Sequence, residues 1–217
     1  MAAAIYAVVL RYFYIQQQWK LNLQAQSRAE IQALKARIRP HFLFNSMNTI
    51  ASLISFMPDK AEKAIEDLAD LFRASLKEQN VHTLETELDI TRSYLDIEKL
   101  RLGERLQIEW DVDNSLIDEE IPALSLQPLA ENAIYHGIEP LPDGGNIRIS
   151  AQRVDEHLKL EVSNPSSATA GLTHSSGNKM AQDNIKQRLR LAYGNDARFN
   201  INATNRNYTV TLEIPVT

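Results

Sequence analysis

At 217 residues and a net charge of −5, the chain is long enough for two small domains and too acidic for nucleic acid as its main partner. Its 44% hydrophobic and 24% charged fractions are those of a folded protein and not of a disordered or collagen-like chain. The lack of cysteine excludes disulfides and thiolate metal sites, and it fits a reducing compartment.

The chain opens with an apolar, aromatic segment. Residues 2–10 are apolar, and Arg11, Trp19 and Lys20 follow among aromatics and glutamines. This run is shorter than the roughly 20 apolar residues that span a bilayer, but aromatic and cationic residues are typical of the membrane–water interface. We interpret residues 1–20 as the end of a transmembrane helix and its juxtamembrane segment. An amphipathic start of a soluble helix and a poor signal peptide are the alternatives.

Helical spacing predicts a long helix from residue 21 to about residue 57. Its apolar positions recur every three or four residues: Ile31, Leu34, Ile38 and Phe42. Pro40 lacks a backbone donor and crowds the preceding turn, so we expect a kink or a restarted helix there.

Two further helices are predicted before the period changes. Asp59 and Glu62 could form a capping box at the start of the first one. Its apolar stripe is Ile65, Leu68, Phe72 and Leu76. The second runs from about residue 84 to 102, and Gly103 ends it. Its apolar positions are Leu84, Leu88, Leu95 and Leu102. We predict one helical domain over residues 21–103.

After Gly103 the period alternates, as in strands. Strands are predicted over residues 106–112, 147–151, 158–162 and 208–214, and helices over 124–136 and 180–193. This mixture ends in antiparallel strands and predicts a two-layer α/β sandwich over residues 104–217. The stretch from 165 to 177 is long and rich in Ser, Thr, Ala and Gly, which is typical of a functional lid or a disordered loop.

The first candidate site surrounds His41 in the run R-P-H-F-L-F-N, residues 39–45. A lone histidine on an apolar helix is more often a packed core residue than a nucleophile. Here Pro40 opens the helix beside it, and Asn45 lies one turn later on the same side. A neutral imidazole nitrogen can attack a γ-phosphoryl group, and Asn45 could orient the nucleophile or a water, so the pattern favours phosphoryl transfer.

The second candidate site is L-Q-P-L-A-E-N-A-I-Y-H-G, residues 126–137. Its apolar residues would bury one side of a short helix and leave Glu131 and Asn132 on another. Carboxylate and amide oxygens suit a magnesium ion that bridges nucleotide phosphates, with Asn132 as the ligand. Glu131 could accept the proton of a water or tune the metal site. A solvated helix face is the alternative interpretation.

With these residues the chain resembles the LytS-type sensor histidine kinases. The family's P-H-F-L-F-N stands at residues 40–45, its pattern E-L-x-x-x-x-x-Y-L-x-I-E-x-x-R at 87–101, and its L-Q-P-L-x-E-N-A-I-x-H-G at 126–137. The three motifs follow the family's order and cover most of the chain from about residue 33.

The resemblance implies an α+β protein, in which a helical-hairpin dimerisation domain precedes a Bergerat-type ATP-binding domain. The hairpins of two subunits would form a four-helix bundle. It implies ATP and Mg2+ as cofactors, His41 as the phosphoacceptor, Asn132 as the magnesium ligand, and Glu131 and His136 beside it, with His136 at a phosphate. Residues 184–189 resemble the helix after the ATP lid, and the N-terminus of this segment at Asn184 could direct backbone donors at phosphates.

The resemblance also implies an ATP-dependent protein histidine kinase that acts as a homodimer. It would pass the phosphoryl group to the aspartate of a response regulator, for which the LytTR type is one candidate. The expected location is the bacterial inner (cytoplasmic) membrane, with anchoring through the N-terminal helix and the catalytic part facing the cytoplasm. A single hairpin also cannot bury all its apolar surface, which independently favours pairing of two hairpins.

Two departures from the family pattern affect the predicted nucleotide pocket. Asn164 replaces the aspartate that contacts the adenine amino group, and an amide oxygen accepts that hydrogen bond without charge. The second glycine motif is reduced to Gly177, where Lys179 could supply a phosphate contact instead. A degenerate kinase acting as a dimeric scaffold or as a phosphatase of its regulator is therefore a second hypothesis. A third, an ATPase without histidine transfer, leaves residues 40–45 unexplained.

Overall fold

The computed structural model describes residues 11, 16–18, 40–76, 79–166, 176–204 and 206–216, without the side chains of 76 and 176–181. The chain divides into two compact units, Met1–Asn45 and Ser46–Thr217. The predicted helix before residue 40, most of the predicted membrane segment and most of the predicted lid lie outside the described residues. Within the described part, no helix combines the length and apolar character needed to cross a bilayer. The domain boundaries stay predictions.

The helices and strands are, in chain order, α1 Pro40–Leu53, α2 Pro58–Leu76, β1 Val81–Thr83, α3 Leu84–Leu102, β2 Leu106–Val112, β3 Glu120–Pro122, α4 Gln127–Asn132, β4 Gly145–Val154, β5 His157–Pro165, α5 Ser176–Tyr193, β6 Arg198–Ala203 and β7 Asn207–Pro215. A π-helical turn, Ala133–Ile138, follows α4 directly.

Helix α2 starts differently from the prediction. Pro58 is its first residue, where a fixed φ and a missing N–H are well tolerated. Asp59 therefore lies within the first turn, so the predicted capping box is wrong. Its carboxylate still favours the positive end of the helix dipole.

The buried face of α2 is also rotated from the predicted stripe. Its buried apolar residues are Ala61, Ala64, Leu68 and Leu71. Ile65, which the stripe predicted to be buried, is 53% exposed. The small alanine side chains allow close approach of a neighbouring helix, and α2 packs on α3.

Helix α3 has the predicted bounds and the predicted buried leucines. Leu84, Leu88, Leu95 and Leu102 are all buried. Thr83 caps the helix by accepting a hydrogen bond from the N–H of Thr86 at 3.2 Å. Gly103 ends it with a φ of 60°, and its N–H donates to the carbonyl of Lys99. This left-handed φ is the reason a glycine stands there.

A five-stranded mixed sheet has the spatial order β2-β4-β5-β7-β6. β2 pairs parallel with β4, and the other neighbours are antiparallel. A separate antiparallel pair joins β1 to β3. The four predicted strands are confirmed. Strands β1, β3 and β6 were not predicted, although the alternation of Phe199 and Ile201 was an available signal for β6.

One face of the sheet is apolar and the other is polar. The residues buried on the apolar face are Ile147, Ile149, Ala151, Leu158, Leu160, Val162, Val210, Leu212 and Ile214. The π-helical turn contacts β4 and β5, and α5 contacts β7. On the polar face, Glu161 pairs with Lys159 at 3.0 Å and accepts from Thr211 at 3.0 Å. The α+β class and the two-layer arrangement are therefore confirmed.

Candidate functional site

The first candidate site lies on α1, where His41 is exposed and Asn45 is half-buried. The Nδ2 atom of Asn45 is 3.3 Å from Nδ1 and 3.2 Å from Nε2 of His41. The two ring nitrogens point in different directions, so an amide nearly equidistant from both packs against the ring without occupying one lone pair. His41 is not a packed core residue. Its ring is open to solvent and contacts the amide that the one-turn spacing predicts.

A loop precedes α4 in the second site, at residues where the sequence predicted helix. Leu124 has a φ of 55°, which is uncommon for leucine, and α4 begins only at Gln127. The predicted helix start at residue 124 is wrong. The N–H groups of Leu124, Ser125 and Leu126 are directed instead at the carboxylate of Glu87.

Glu87 on α3 is wholly buried. Its oxygens accept hydrogen bonds from the backbone of Leu124 at 2.5 Å, Ser125 at 2.9 Å and Leu126 at 2.9 Å. Its Oε1 also lies 2.7 Å from Nδ1 of His82, which is buried too. In the sequence, Glu87 is the first residue of the 87–101 pattern, and no role was predicted for it. A glutamate among buried leucines of a helix was the available signal.

Helix α4 carries Glu131 and Asn132 next to each other. Asn132 is 6% exposed, which excludes a solvated position for this residue. Glu131 is half-buried and accepts a hydrogen bond from Nε2 of Gln127 at 3.0 Å. An amide oxygen and a carboxylate are donors that a hard cation prefers. No group of three or more His, Cys, Asp or Glu side chains in the described ranges could hold a metal ion.

The π-helical turn after α4 positions His136. The N–H of Glu139 donates to the carbonyl of Ile134 at 2.9 Å, which closes the wider turn. His136 is half-buried, and its ring meets that of Tyr135 edge to face, with centroids 4.8 Å apart. Such turns recur at functional sites because they redirect side chains within a helix.

Asn164 lies at the end of β5 and is 5% exposed. Its Nδ2 donates to the carbonyl of Pro165 at 2.8 Å. A Cβ atom at Gly137 would lie 2.1 Å from this Nδ2, so Gly137 packs directly against the asparagine side chain. The tertiary structure thus brings the end of the 126–137 motif next to the residue that departs from the family pattern.

Helix α5 holds the remaining predicted residues. Gly177 and Lys179 lie in its first turn, and their side chains are outside the described residues. Asn184 is exposed in the helix interior, because α5 begins at Ser176. The helix N-terminus whose backbone donors could face phosphates therefore lies at Ser176 and not at Asn184, and the role of Asn184 stays a prediction.

Two other side chains of α5 connect it to the site. Arg188 donates to the carbonyls of Ala123 and Leu124, in the loop that Glu87 also holds. Gln182 donates to the hydroxyl of Tyr208 at 2.8 Å, and Tyr208 is the partner of Asn164 across β5 and β7. Burial raises the pKa of Tyr208, against the opposing hydrogen bond from Gln182, so this phenol stays protonated at neutral pH.

Arg101 holds the C-terminal end of the segment formed by residues 124–139. Its guanidinium pairs with Glu98 on α3 and donates to Glu139, just after the π-helical turn, at 2.6 Å. Glu98 is 4% exposed. Arg105 donates to the carbonyls of Glu139 at 3.2 Å and Leu141 at 2.8 Å. The predicted site residues Glu131, Asn132, His136 and Asn164 all belong to the larger unit, and His41 and Asn45 belong to the smaller one.

Residues 29–106 match the family model described as histidine kinase. Among sensor kinases, the chain is 36% identical over 191 residues to the sensor histidine kinase BtsS of Escherichia coli, covering 87% of this chain and 34% of that protein. It is 32% identical over 199 residues to the sensor protein LytS of Staphylococcus haemolyticus, covering 86% and 34%. The solved histidine kinase domain of the blue-light activated kinase from Erythrobacter litoralis is similar, with a TM-score of 0.47 and 13% identity over 90% of this chain and 94% of that one.

Sensor histidine kinases, a LytS protein among them, are thus the proteins to which this chain is similar. The chain spans about a third of the length of these curated relatives, since it covers 34% of each.

Proposed function

We propose that this chain is the kinase core of a two-component sensor histidine kinase. It would transfer the γ-phosphoryl group of ATP to His41 and then to an aspartate of a response regulator. The observation that supports this most directly is the exposed His41 in contact with Asn45, inside the stretch that matches the histidine kinase family.

The transfer needs the unprotonated nitrogen of a neutral imidazole. This nitrogen forms a bond to the γ-phosphorus while the bond from phosphorus to the bridging oxygen breaks and ADP leaves. The ring then carries a positive charge, and its other nitrogen releases a proton to water. Asn45 would fix the ring orientation for this attack. The exposure of His41 leaves its ring accessible to a phosphate donor held by another part of the protein.

The nucleotide would be held by the segment around α4 and by the end of β5. Asn132 would provide an oxygen ligand for Mg2+, Glu131 would accept a proton or tune the metal site, and His136 would contact a phosphate. Bound magnesium would neutralise charge on the phosphate oxygens. Asn164 would accept a hydrogen bond from the adenine amino group. The carboxylate of Glu131 and the amide oxygen of the buried Asn132, its neighbour in sequence, fit a magnesium ion in their chemistry.

Residues of α5 would complete the pocket. Lys179, with Gly177, would supply a phosphate contact, and Asn184 would lie at the nucleotide.

The proposed partners are a second copy of the chain and a response regulator, of which the LytTR type is one candidate. The exposed apolar side chains of Ile54 and Ile65, at 57% and 53%, support pairing of two helical hairpins. Chemical crosslinking in solution tests the homodimer, and a strictly monomeric chain would contradict it. The composition of residues 1–20 supports anchoring in the bacterial inner membrane with the kinase core in the cytoplasm. Within the family, the sequence of residues 184–194 favours a likeness to the sensor linked to alginate production and pilus motility in pseudomonads.

The uncharged Asn164 also supports a second candidate, a degenerate kinase that serves as a dimeric scaffold or as a phosphatase of its regulator. Calorimetry with ATP and magnesium separates the two. Binding below millimolar nucleotide favours the kinase, and no binding at millimolar nucleotide favours the scaffold.

Labelling with γ-32P-ATP tests the kinase directly. We expect the wild-type chain to incorporate label and His41→Gln to lose it. His157→Gln is the matched control, because His157 lies on β5, outside the matched stretch, and this variant should label like wild type. Label that survives in His41→Gln, or that never appears in wild type, contradicts the proposal.

A further inference from the structure

Glu87 is a charged side chain with no exposed surface, and its whole hydrogen-bonding capacity is directed at one loop and one histidine. Three consecutive backbone N–H groups, from Leu124 to Leu126, converge on its two oxygens. Consecutive N–H groups that point to one anion form a concave anion-binding nest. The left-handed φ of Leu124 permits this convergence, at a conformational cost that the charge-assisted bonds offset.

Helix α5 also holds the same loop. Arg188 donates to the carbonyls of Ala123 and Leu124, so the loop's N–H groups bind an anion on α3 and its C=O groups bind a cation on α5. Helix α4 starts at Gln127, directly after the loop, and carries Asn132 at its last position. Any displacement of residues 124–126 therefore moves the start of this short helix.

Helix α3 also holds the C-terminal end of residues 124–139. Arg101 donates to Glu139, which follows the π-helical turn, while it pairs with the buried Glu98 of its own helix. Residues 124–139 are thus attached to α3 at both ends, through Glu87 and Arg101. This short segment contains Asn132, His136 and Gly137.

We infer that Glu87 is a positioning residue for the nucleotide pocket: by holding residues 124–126 to α3, it sets the position of Asn132, and the affinity for MgATP depends on it. The inference rests on the proposed function for its ligand, and on the hydrogen bonds of Glu87 for its mechanism.

The test compares wild type, Glu87→Gln and the control Glu85→Gln, in which the changed side chain lies exposed on the first turn of the same helix. In Glu87→Gln an NH2 group replaces one carboxylate oxygen. This group is a donor and cannot accept a hydrogen bond from the backbone N–H groups that face it. We expect the MgATP affinity measured by calorimetry to fall about ten-fold, which is the size of effect seen when a residue that orients a metal ligand is changed. The KM for ATP in His41 labelling should rise while the maximal rate changes less. Amide hydrogen exchange at residues 124–126 should accelerate without nucleotide, and Glu85→Gln should match wild type in all three.

Unchanged affinity and unchanged exchange in a folded Glu87→Gln chain would overturn the inference. Should Glu87→Gln fail to give a cooperative unfolding transition, Arg188→Lys tests the same loop from α5. Weaker MgATP binding with faster exchange of residues 124–126 supports the inference, and wild-type values overturn it. A wild-type chain that binds no MgATP refutes the kinase proposal, and it refutes the dependence of affinity on Glu87 as well. The exchange rates then decide separately whether Glu87 holds the loop.

Discussion

Gly137 packs so closely against Asn164 that a Cβ atom at position 137 would lie 2.1 Å from the side-chain nitrogen of Asn164. Gly137→Ala must therefore displace this buried asparagine. We expect the free energy of unfolding to fall by about 1–3 kcal/mol, the usual cost of overpacking, with weaker binding of MgATP. Urea denaturation and calorimetry measure the two effects.

A double variant checks the cause. In Gly137→Ala/Asn164→Ala, the two closest atoms of Asn164 are gone and only its Cβ, at 2.9 Å, stays near, so the alanine at position 137 should cost less than it does alone. Equal costs in the two backgrounds would show that the contact with Asn164 is not the reason for the glycine.

Asn164→Asp should strengthen nucleotide binding and weaken the fold. The carboxylate would accept the proposed adenine hydrogen bond with a charge, but it would lose the donor that binds the Pro165 carbonyl at 2.8 Å. Burying a charge at a residue that is 5% exposed should lower the free energy of unfolding by about 1–3 kcal/mol at neutral pH. Calorimetry with ATP and urea denaturation measure the changes, and tighter binding without loss of stability would contradict the burial argument.

Arg101 and Arg92 offer a matched pair of arginines on α3. Arg101→Gln should lower the free energy of unfolding by roughly 2–4 kcal/mol, because Glu98 would stay buried without its cation. Arg92→Gln, which breaks an exposed pair with Asp89 and a cation–π contact with Trp110 at 5.1 Å, should cost only about 1 kcal/mol. Urea denaturation of both variants measures the difference. Similar losses of unfolding free energy would mean that the pair of Arg101 with Glu98 contributes no more than an exposed surface pair.

Asn45→Ala should lower the rate of His41 labelling about ten-fold at saturating ATP, because the ring would lose the amide that orients it. Stability should change little, since the contact lies at the surface of α1. Asn48→Ala on the same helix is the control, with an exposed side chain. Initial labelling rates at several ATP concentrations separate this effect from a change in nucleotide affinity, and a rate equal to that of the control would remove Asn45 from the mechanism.

Partial burial is the main cause that raises the pKa of Asp96, and the nearby Asp67 carboxylate raises it further. The positive charges of Lys63 and Arg92 lower it by less. The folded state thus favours the protonated acid, so ionised Asp96 lowers stability above its folded pKa. This penalty disappears as the pH falls through the folded pKa towards the ordinary value of about 4. Asp96→Asn should therefore be slightly more stable than wild type at pH 7, with the difference vanishing in acid. Urea denaturation across this pH range measures it, and a difference that grows in acid would contradict the shift.

The sequence by itself determined the elements whose apolar period is regular. The four leucines of α3 and the alternation in β2, β4, β5 and β7 each specify one buried face, because the period of the side chains matches the geometry of the backbone. The contact between His41 and Asn45 was equally predictable, since residues four apart on a helix are neighbours.

Only the tertiary structure decided the start of α4, the exposed position of Ile65 and the packing of Gly137 against Asn164. Each depends on a partner distant in sequence, as the nest around Glu87 shows: the acceptor stands on α3 and the donors on a loop 37 to 39 residues later. Local propensity favours helix at residues 124–126, and the buried carboxylate overrides it, because a charge without partners in the core costs more than one lost helical turn.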